Sequence, residues 1–180
     1  MAIYPLRLSL SRFDKLVAGM CMGEIMRLVL AKLARNKLLF NNCQYGLLFT
    51  SEAFHTKYIS EILSDQAGRL HNTRQVLEEM GVDGFQYSDL ITIREISSCI
   101  SRRSANLAAT AIAAVVLRLQ KKNVTVGIDG STFRYHPFYH FWLKDKIREL
   151  LPPDIEVNIV QAGDGSGKGA ALVAAIAETL

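Results

Sequence analysis

The residues best equipped for chemistry in this 180-residue chain cluster in its last third. A β-branched run, Val124-Thr125-Val126-Gly127-Ile128, meets the turn Asp129-Gly130-Ser131. The pattern returns when Ile155-Glu156-Val157-Asn158-Ile159-Val160 leads into Gly163-Asp164-Gly165-Ser166-Gly167-Lys168-Gly169. Each unit reads as a strand whose carboxyl end opens into a glycine turn. Open α/β sheets bind ligands beyond those ends, and glycine lets a backbone approach a phosphate or sugar closely. The chemistry expected is recognition of a nucleotide at the edge of a larger enzyme.

Two familiar phosphate motifs do not fit the second turn. A Walker A loop built on Gly167-Lys168 would put its first glycine at Ala162 and its metal-binding hydroxyl at Gly169. A dinucleotide fingerprint on Gly165, Gly167 and Ala170 needs an acid about 20 residues on, and the 180 residues end before it. Backbone N–H groups at a helix start, with Lys168 beside them, form a generic anion or ribose site. A βα turn that needs glycine only for packing has the same pattern, and motif shape does not choose between them.

The elements that position these turns are mostly helical. Ser11 is a plausible N-cap for a helix over residues 11–36, with Val17, Cys21, Ile25 and Leu28 on one face. Gly19 and Gly23 inside it would each cost roughly 1 kcal/mol against alanine, so something should pack or bind close to its first turns. Residues 38–54 read as a connector; shorter helices follow at 53–64 and 67–80, then an Asp83-Gly84 turn. Residues 88–121 form the longest helical pattern, with Ile93, Ile96, Ile100, Leu107, Ala111 and Val115 on one stripe. Over 107–119 only Thr110 and Arg118 are polar, which predicts burial between layers. His136-Pro137 opens a helix to about residue 151 carrying Tyr139, Leu143, Ile147 and Leu150, and a last helix runs from Gly169 with Leu172, Ala175, Ile176 and Thr179. Two parallel strands make a poor sheet alone, so the chain reads as part of a domain.

Composition narrows the function. An apolar fraction of 49% supports a real core, and the 21 basic and 17 acidic residues form no long blocks. Aromatics are not interleaved with the basic residues, so no nucleic-acid partner is expected. Cys21, Cys43 and Cys99 are odd in number and far apart, which argues against a disulfide framework or a zinc site and for a cytoplasmic location. The uncharged runs 38–51 and 104–117 are short of the ~20 residues that span a bilayer, so no membrane-spanning segment is expected. His136 and His140 lack a third ligand, so no metal site is assigned; Arg102-Arg103 reads as a solvated helix patch and Trp142 as core.

Taken together, several stretches resemble the C-terminal part of a eukaryotic hexokinase. They are Arg12-Phe-Asp-Lys-Leu-Val-Ala-Gly-Met-Cys-Met-Gly-Glu-Ile-Met-Arg, Phe54-His-Thr-Lys-Tyr-Ile-Ser-Glu-Ile-Leu-Ser-Asp and Ser101-Arg-Arg-Ser-Ala-Asn-Leu, followed by Asn123-Val-Thr-Val-Gly-Ile-Asp-Gly-Ser and Asp164-Gly-Ser-Gly-Lys-Gly-Ala-Ala-Leu. Their order and spacing match the family over residues 12–180, leaving 1–11 as a divergent N-terminal extension. The resemblance implies an α/β fold: a partial actin-like ATPase (ribonuclease H-like) domain, helix-rich with a short portion of sheet, from the large domain of the enzyme.

The resemblance also implies activity and site. The family passes the γ-phosphoryl group of ATP, with Mg²⁺, to the 6-hydroxyl of a hexose such as glucose. Positions surrounding the nucleotide fall on Gly19, Met20, Thr56, Lys57, Tyr58, Ile59 and Ser60, and on Gly130, Ser131, Thr132, Phe133, Arg134 and Tyr135. Gly165, Ser166, Gly167, Lys168 and Gly169 match the last connection between lobes and shape the cleft. Asp14 matches a sugar-contacting glutamate but is one methylene shorter; it equally suits a first-turn charge complementing the helix dipole. The family's catalytic aspartate and phosphate-clamping Gly-Thr loops lie N-terminal to this stretch and have no counterpart in these residues. The chain alone is therefore expected to be inactive, with the N-terminal part of the same enzyme as partner. A non-catalytic regulatory or interaction fragment is the alternative, and a Rossmann-type oxidoreductase a third reading.

Overall fold

In the computed structural model, residues 12–41, 43–66 and 68–177 are described. They form α1 (Arg12–Val17), α2 (Gly19–Arg35), a 3₁₀ turn (Gly46–Phe49), α3 (Thr56–Leu63), α4 (His71–Glu79), α5 (Tyr87–Leu119), β1 (Asn123–Ile128), α6 (Ser131–Tyr135), α7 (Tyr139–Leu150), β2 (Glu156–Gln161) and α8 (Gly165–Ala177). The predicted Ser11 cap, the 1–11 extension and Thr179 lie outside the described residues.

α5 is the spine. At 1.5 Å per residue its 33 residues run about 50 Å. A reciprocal capping box starts it, with the Gln86 N–H donating to Asp89 Oδ2 at 2.9 Å, and Gln120 in the left-handed region ends it. Its first half packs with α2, α3 and α4 around Met22, Met26, Leu30, Ile59, Ile62, Leu77, Leu90 and Ile93. Its second half supports a separate cluster: Ala109, Ala113 and Val116 meet Leu143 and Ile147 of α7. The half-buried face of the sheet (Val124, Val126, Ile128, Val157 and Ile159) closes that cluster. β1 and β2 pair in parallel with Asn123 opposite Glu156 and Ile128 opposite Gln161, and α6 and α7 make the crossover.

The predicted helix over 11–36 is broken at Ala18, whose extended backbone (ψ 133°) separates α1 from α2. The buried face of α2 also differs from the predicted stripe. Leu28 is exposed, while Cys21, Met22, Met26, Arg27, Leu30, Ala31 and Ala34 face inward together with Glu24. Apolar counting misses this face because an ion pair sits within it. Arg27 Nε donates to Glu24 Oε2 at 2.7 Å, Arg27 Nη1 to the Leu48 carbonyl at 2.9 Å, and the Glu52 N–H to Glu24 Oε2 at 2.9 Å. Together they tie α2 to the 3₁₀ turn. The all-apolar stretch of α5 is not buried all round: Val115, Leu117 and Leu119 are exposed, because α7 and the sheet cover only one side. Leu150 is exposed while Leu151 is buried, and α8 begins at Gly165 rather than 169, with Leu172, Val173 and Ile176 exposed.

Glu24 is therefore a stability determinant. Arg27 holds its carboxyl below the usual carboxylate range of 4.5, so its contribution is present above that value and is lost as pH falls through the lower native value. Glu24→Ala is expected to cost about 3–5 kcal/mol at pH 7 by removing the carboxylate that faces the buried Arg27 guanidinium. Urea unfolding measures it; a midpoint within error of the parent contradicts this role.

Candidate functional site

A cavity of about 850 Å³ opens where α1, α2, α3, α5, α7 and the β1–α6 turn converge. Four segments supply its wall. The α1–α2 junction contributes Val17, Ala18, Gly19 and Met20, and α3 contributes Thr56, Lys57, Ser60 and Glu61. The turn after β1 contributes Ile128 to Phe133 and Tyr135, and Ala108, Ile112, Tyr139 and Leu143 form an apolar side.

Thr56 joins the first two segments. Its hydroxyl accepts the Gly23 N–H at 3.1 Å and donates to the Gly19 carbonyl at 2.6 Å. In a regular helix those two groups bond to each other, and α2 is helical from Gly19 on, so the α3 side chain braces the first turn of α2 from outside. The helix glycines make this close approach feasible. A Cβ at Gly23 would collide with the Phe54 carbonyl oxygen and crowd the Thr56 nitrogen, and one at Gly19 would collide with the Thr132 hydroxyl. The close packing expected around these glycines comes from the protein itself.

The third segment is held from two sides. Gly130 has φ 149° and precedes α6, a conformation that side-chain-bearing residues rarely adopt. Asp129 Oδ2 accepts the Gly165 N–H at 3.0 Å, linking the two glycine turns. Below the turn, Tyr139 Oη and Ser104 Oγ lie 3.0 Å apart, and Ser104 donates to the Val17 carbonyl at 2.7 Å. Burial raises the Tyr139 phenol above its ordinary value, so it stays neutral. His136 is almost fully buried, and its Nδ1 accepts the N–H groups of Phe138 and Tyr139 at 3.2 and 3.0 Å, fixing the start of α7. Burial lowers its pKa to about 4, and among the described residues Nε2 has no hydrogen-bond partner.

The residues expected at a nucleotide site separate into two groups. Gly19, Met20, Thr56, Lys57, Ser60, Gly130, Ser131, Thr132, Phe133 and Tyr135 line the cavity. Tyr58 and Ile59 do not; helical periodicity turns them into the core with Ile62 and Leu63. Arg134 points outward with its guanidinium 5.1 Å from the Tyr135 ring centre. Asp14 is exposed on α1 outside the wall. Residues 165–169 open α8 outside the wall as well, and a Cβ at Gly167 would lie 2.6 Å from Asp164 Oδ1. That acid crowds the first turn of α8, which favours local packing over anion binding as the reason for the glycines. Glu61, Ala108, Ile112, Tyr139 and Leu143 line the cavity without having been expected at the site, whereas Asp129 belongs to the turn that was; for Glu61 the signal was its spacing of four from Lys57. Among the described residues no group of three or more His, Cys, Asp or Glu side chains is placed to hold a metal, and no helix is long and apolar enough to cross a membrane.

Two outcomes test this construction. Thr56→Val should lose about 1–2 kcal/mol in urea unfolding, since it removes both side-chain hydrogen bonds between α3 and the first turn of α2, whereas Thr56→Ser should stay near the parent; equal losses would contradict the bridge. Because the His136 pKa is lower in the native than in the unfolded chain, its contribution to stability is complete above about 6.5 and fades as pH falls toward 4. Unfolding followed by Trp142 fluorescence should show about 2 kcal/mol lost between pH 7 and 5, and less in His136→Asn. An unchanged pH dependence in that variant would contradict the assignment.

Comparison with known proteins accounts for the arrangement. The family model described as hexokinase matches residues 7–176. A hexokinase of Brugia malayi is 52% identical over 168 residues, covering 93% of this chain and 29% of the relative. Human hexokinase-2 is 37% identical over 174 residues, covering 93% of this chain and 19% of the relative. A solved hexokinase from Schistosoma mansoni complexed with glucose superposes with a TM-score of 0.84 at 31% identity, covering 91% of this chain and 37% of that one. The chain thus spans less than a third of the length of these curated relatives, and its fold is a part of the actin-like ATPase fold. By sequence and structure alike, the chain belongs to the hexokinase family.

Proposed function

We propose that this chain forms the nucleotide-side wall of an ATP-dependent hexose kinase, which passes the γ-phosphoryl group to the 6-hydroxyl of a hexose such as glucose at the entry to glycolysis. One observation carries the reading. Three segments far apart in the sequence, at 17–20, 56–61 and 128–135, line a single cavity in a hexokinase-family chain. The glucose bound by the structural neighbour supports the choice of hexose.

The cavity suits an adenine nucleotide in charge and polarity. Lys57 supplies a cation for phosphates at the N-terminal turn of α3, where the helix dipole adds to it. Ser131 and Thr132 supply hydroxyls, and Ile112, Leu143 and Phe133 supply apolar surface for a base. When bound, Mg²⁺–ATP supplies the transferable phosphoryl group and the charge neutralisation its transfer needs; the metal is held mainly through the nucleotide. Asp14, one turn of α1 before Val17, is assigned to the sugar side. Residues 165–169 shape the closing cleft through the Gly165–Asp129 bond. The catalytic aspartate would come from the part of the enzyme matching the family's N-terminal portion, which is the proposed partner. The cysteines Cys21, Cys43 and Cys99, far apart in the chain, fit a cytoplasmic setting.

Calorimetric titration of the 180-residue chain should show ADP binding at least tenfold tighter than NAD. A coupled glucose phosphorylation assay should show no turnover by this chain alone, and turnover once the polypeptide matching the family's N-terminal part is added. Tighter binding of NAD would end the kinase reading. Turnover by the chain alone would refute the missing base, and nucleotide binding without restored turnover would favour a non-catalytic role.

A further inference from the structure

α3 sorts its side chains between two environments. Tyr58, Ile59, Ile62 and Leu63 enter the core, whereas Thr56, Lys57, Ser60 and Glu61 face the cavity. The polar groups of that wall are not equally available. The Thr56 hydroxyl is committed to Gly19 and Gly23, and Asp129 Oδ2 to the Gly165 N–H. Glu61 differs: its main-chain carbonyl accepts from Asn72 Nδ2, but among the described residues no hydrogen bond or ion pair engages its carboxylate. Lys57 lies four residues earlier, the spacing at which a helical ion pair forms. That pair is not made; the Lys57 ammonium lies 5.0 Å from the Tyr58 ring centre instead.

A half-buried carboxylate in a cavity that takes a polyanion needs a reason. Ionised, it only accepts hydrogen bonds, through two oxygens set side by side. Phosphate oxygens offer it nothing but repulsion, and a vicinal diol offers it two donors. Glu61 also sits about one turn beyond Lys57, away from the positive end of α3. Helix geometry thus separates a cation-bearing end from an acceptor-bearing end.

We infer that Glu61 accepts the ribose hydroxyls of the bound nucleotide, with the phosphates directed toward Lys57, and so makes the site selective for ribonucleotides over deoxyribonucleotides. This rests on the nucleotide reading proposed above and adds a specificity residue to it. Removing Glu61 also removes a negative charge, which strengthens every anionic nucleotide, so the diagnostic quantity is a ratio of affinities.

The experiment is calorimetric titration of the parent chain, Glu61→Ala and Glu61→Gln with ADP, 2′,3′-dideoxy-ADP and inosine diphosphate. Thermal melting checks that each variant is folded; alanine is a good helix former at this half-exposed position. The parent should favour ADP over the dideoxy analogue by about tenfold or more, as expected for hydrogen bonds to a charged acceptor. Glu61→Ala should bring that ratio close to one, and Glu61→Gln, which keeps one carbonyl acceptor, should fall between. An unchanged ratio in Glu61→Ala overturns the inference and leaves the nucleotide reading standing. So does a variant that loses discrimination against inosine diphosphate instead, which would put Glu61 at the base. A folded parent chain that binds none of the three brings down the nucleotide reading and this inference with it.

Discussion

The site depends on one hydroxyl set against a helix turn. Thr56 donates to the Gly19 carbonyl and accepts the Gly23 N–H, so the start of α2 and the start of α3 are fixed to one another by two hydrogen bonds. The arrangement needs glycine on both sides, since a methyl at Gly23 would strike the 54–56 backbone and one at Gly19 would strike Thr132. The turn of α2 that carries the Thr56 bonds also receives the β1–α6 turn, through Thr132 at Gly19. A cavity wall drawn from three regions of sequence becomes one rigid surface, as binding without large reorganisation requires.

Around this junction the fold is two clusters strung on α5. The first, built from α2, α3, α4 and the front half of α5, is closed on itself and contains the buried Glu24–Arg27 pair. The second has a cover on one side only. Among the described residues its sheet has two strands, the back of α5 exposes Val115, Leu117 and Leu119, and α8 exposes Leu172, Val173 and Ile176. Apolar surface of that kind is costly to leave in water. It belongs to a chain that spans under a third of its curated relatives.

Much of this was legible in the sequence because the signals are local. β-branched runs ending in glycine turns gave both strands, Pro152-Pro153 ended α7, and helical glycines announced close packing. The motif resemblance located ten of the cavity-lining residues. What was not legible depended on contacts between distant segments. Periodicity placed Leu28 inside because it ignores a buried ion pair, and it cannot see that Ala18 must extend to let α1 and α2 diverge. A contiguous run from Thr56 to Ser60 overlooked that a helix shows a cavity only every third or fourth residue, so Tyr58 and Ile59 belong to the core while Glu61 belongs to the wall. The glycines of 165–169 invited an anion-site reading that the nearby Asp164 carboxylate does not support.

The central claim is that the starts of α2 and α3 and the β1–α6 turn act as one nucleotide-binding surface. Amide hydrogen exchange of the 180-residue chain with and without saturating ADP tests it most directly. The account predicts slowed exchange in all three segments together, at 19–23, 56–61 and 130–135, with residues 71–79 of α4 unchanged. Protection confined to residues 165–169, or absent from the α2 and α3 segments, would contradict it.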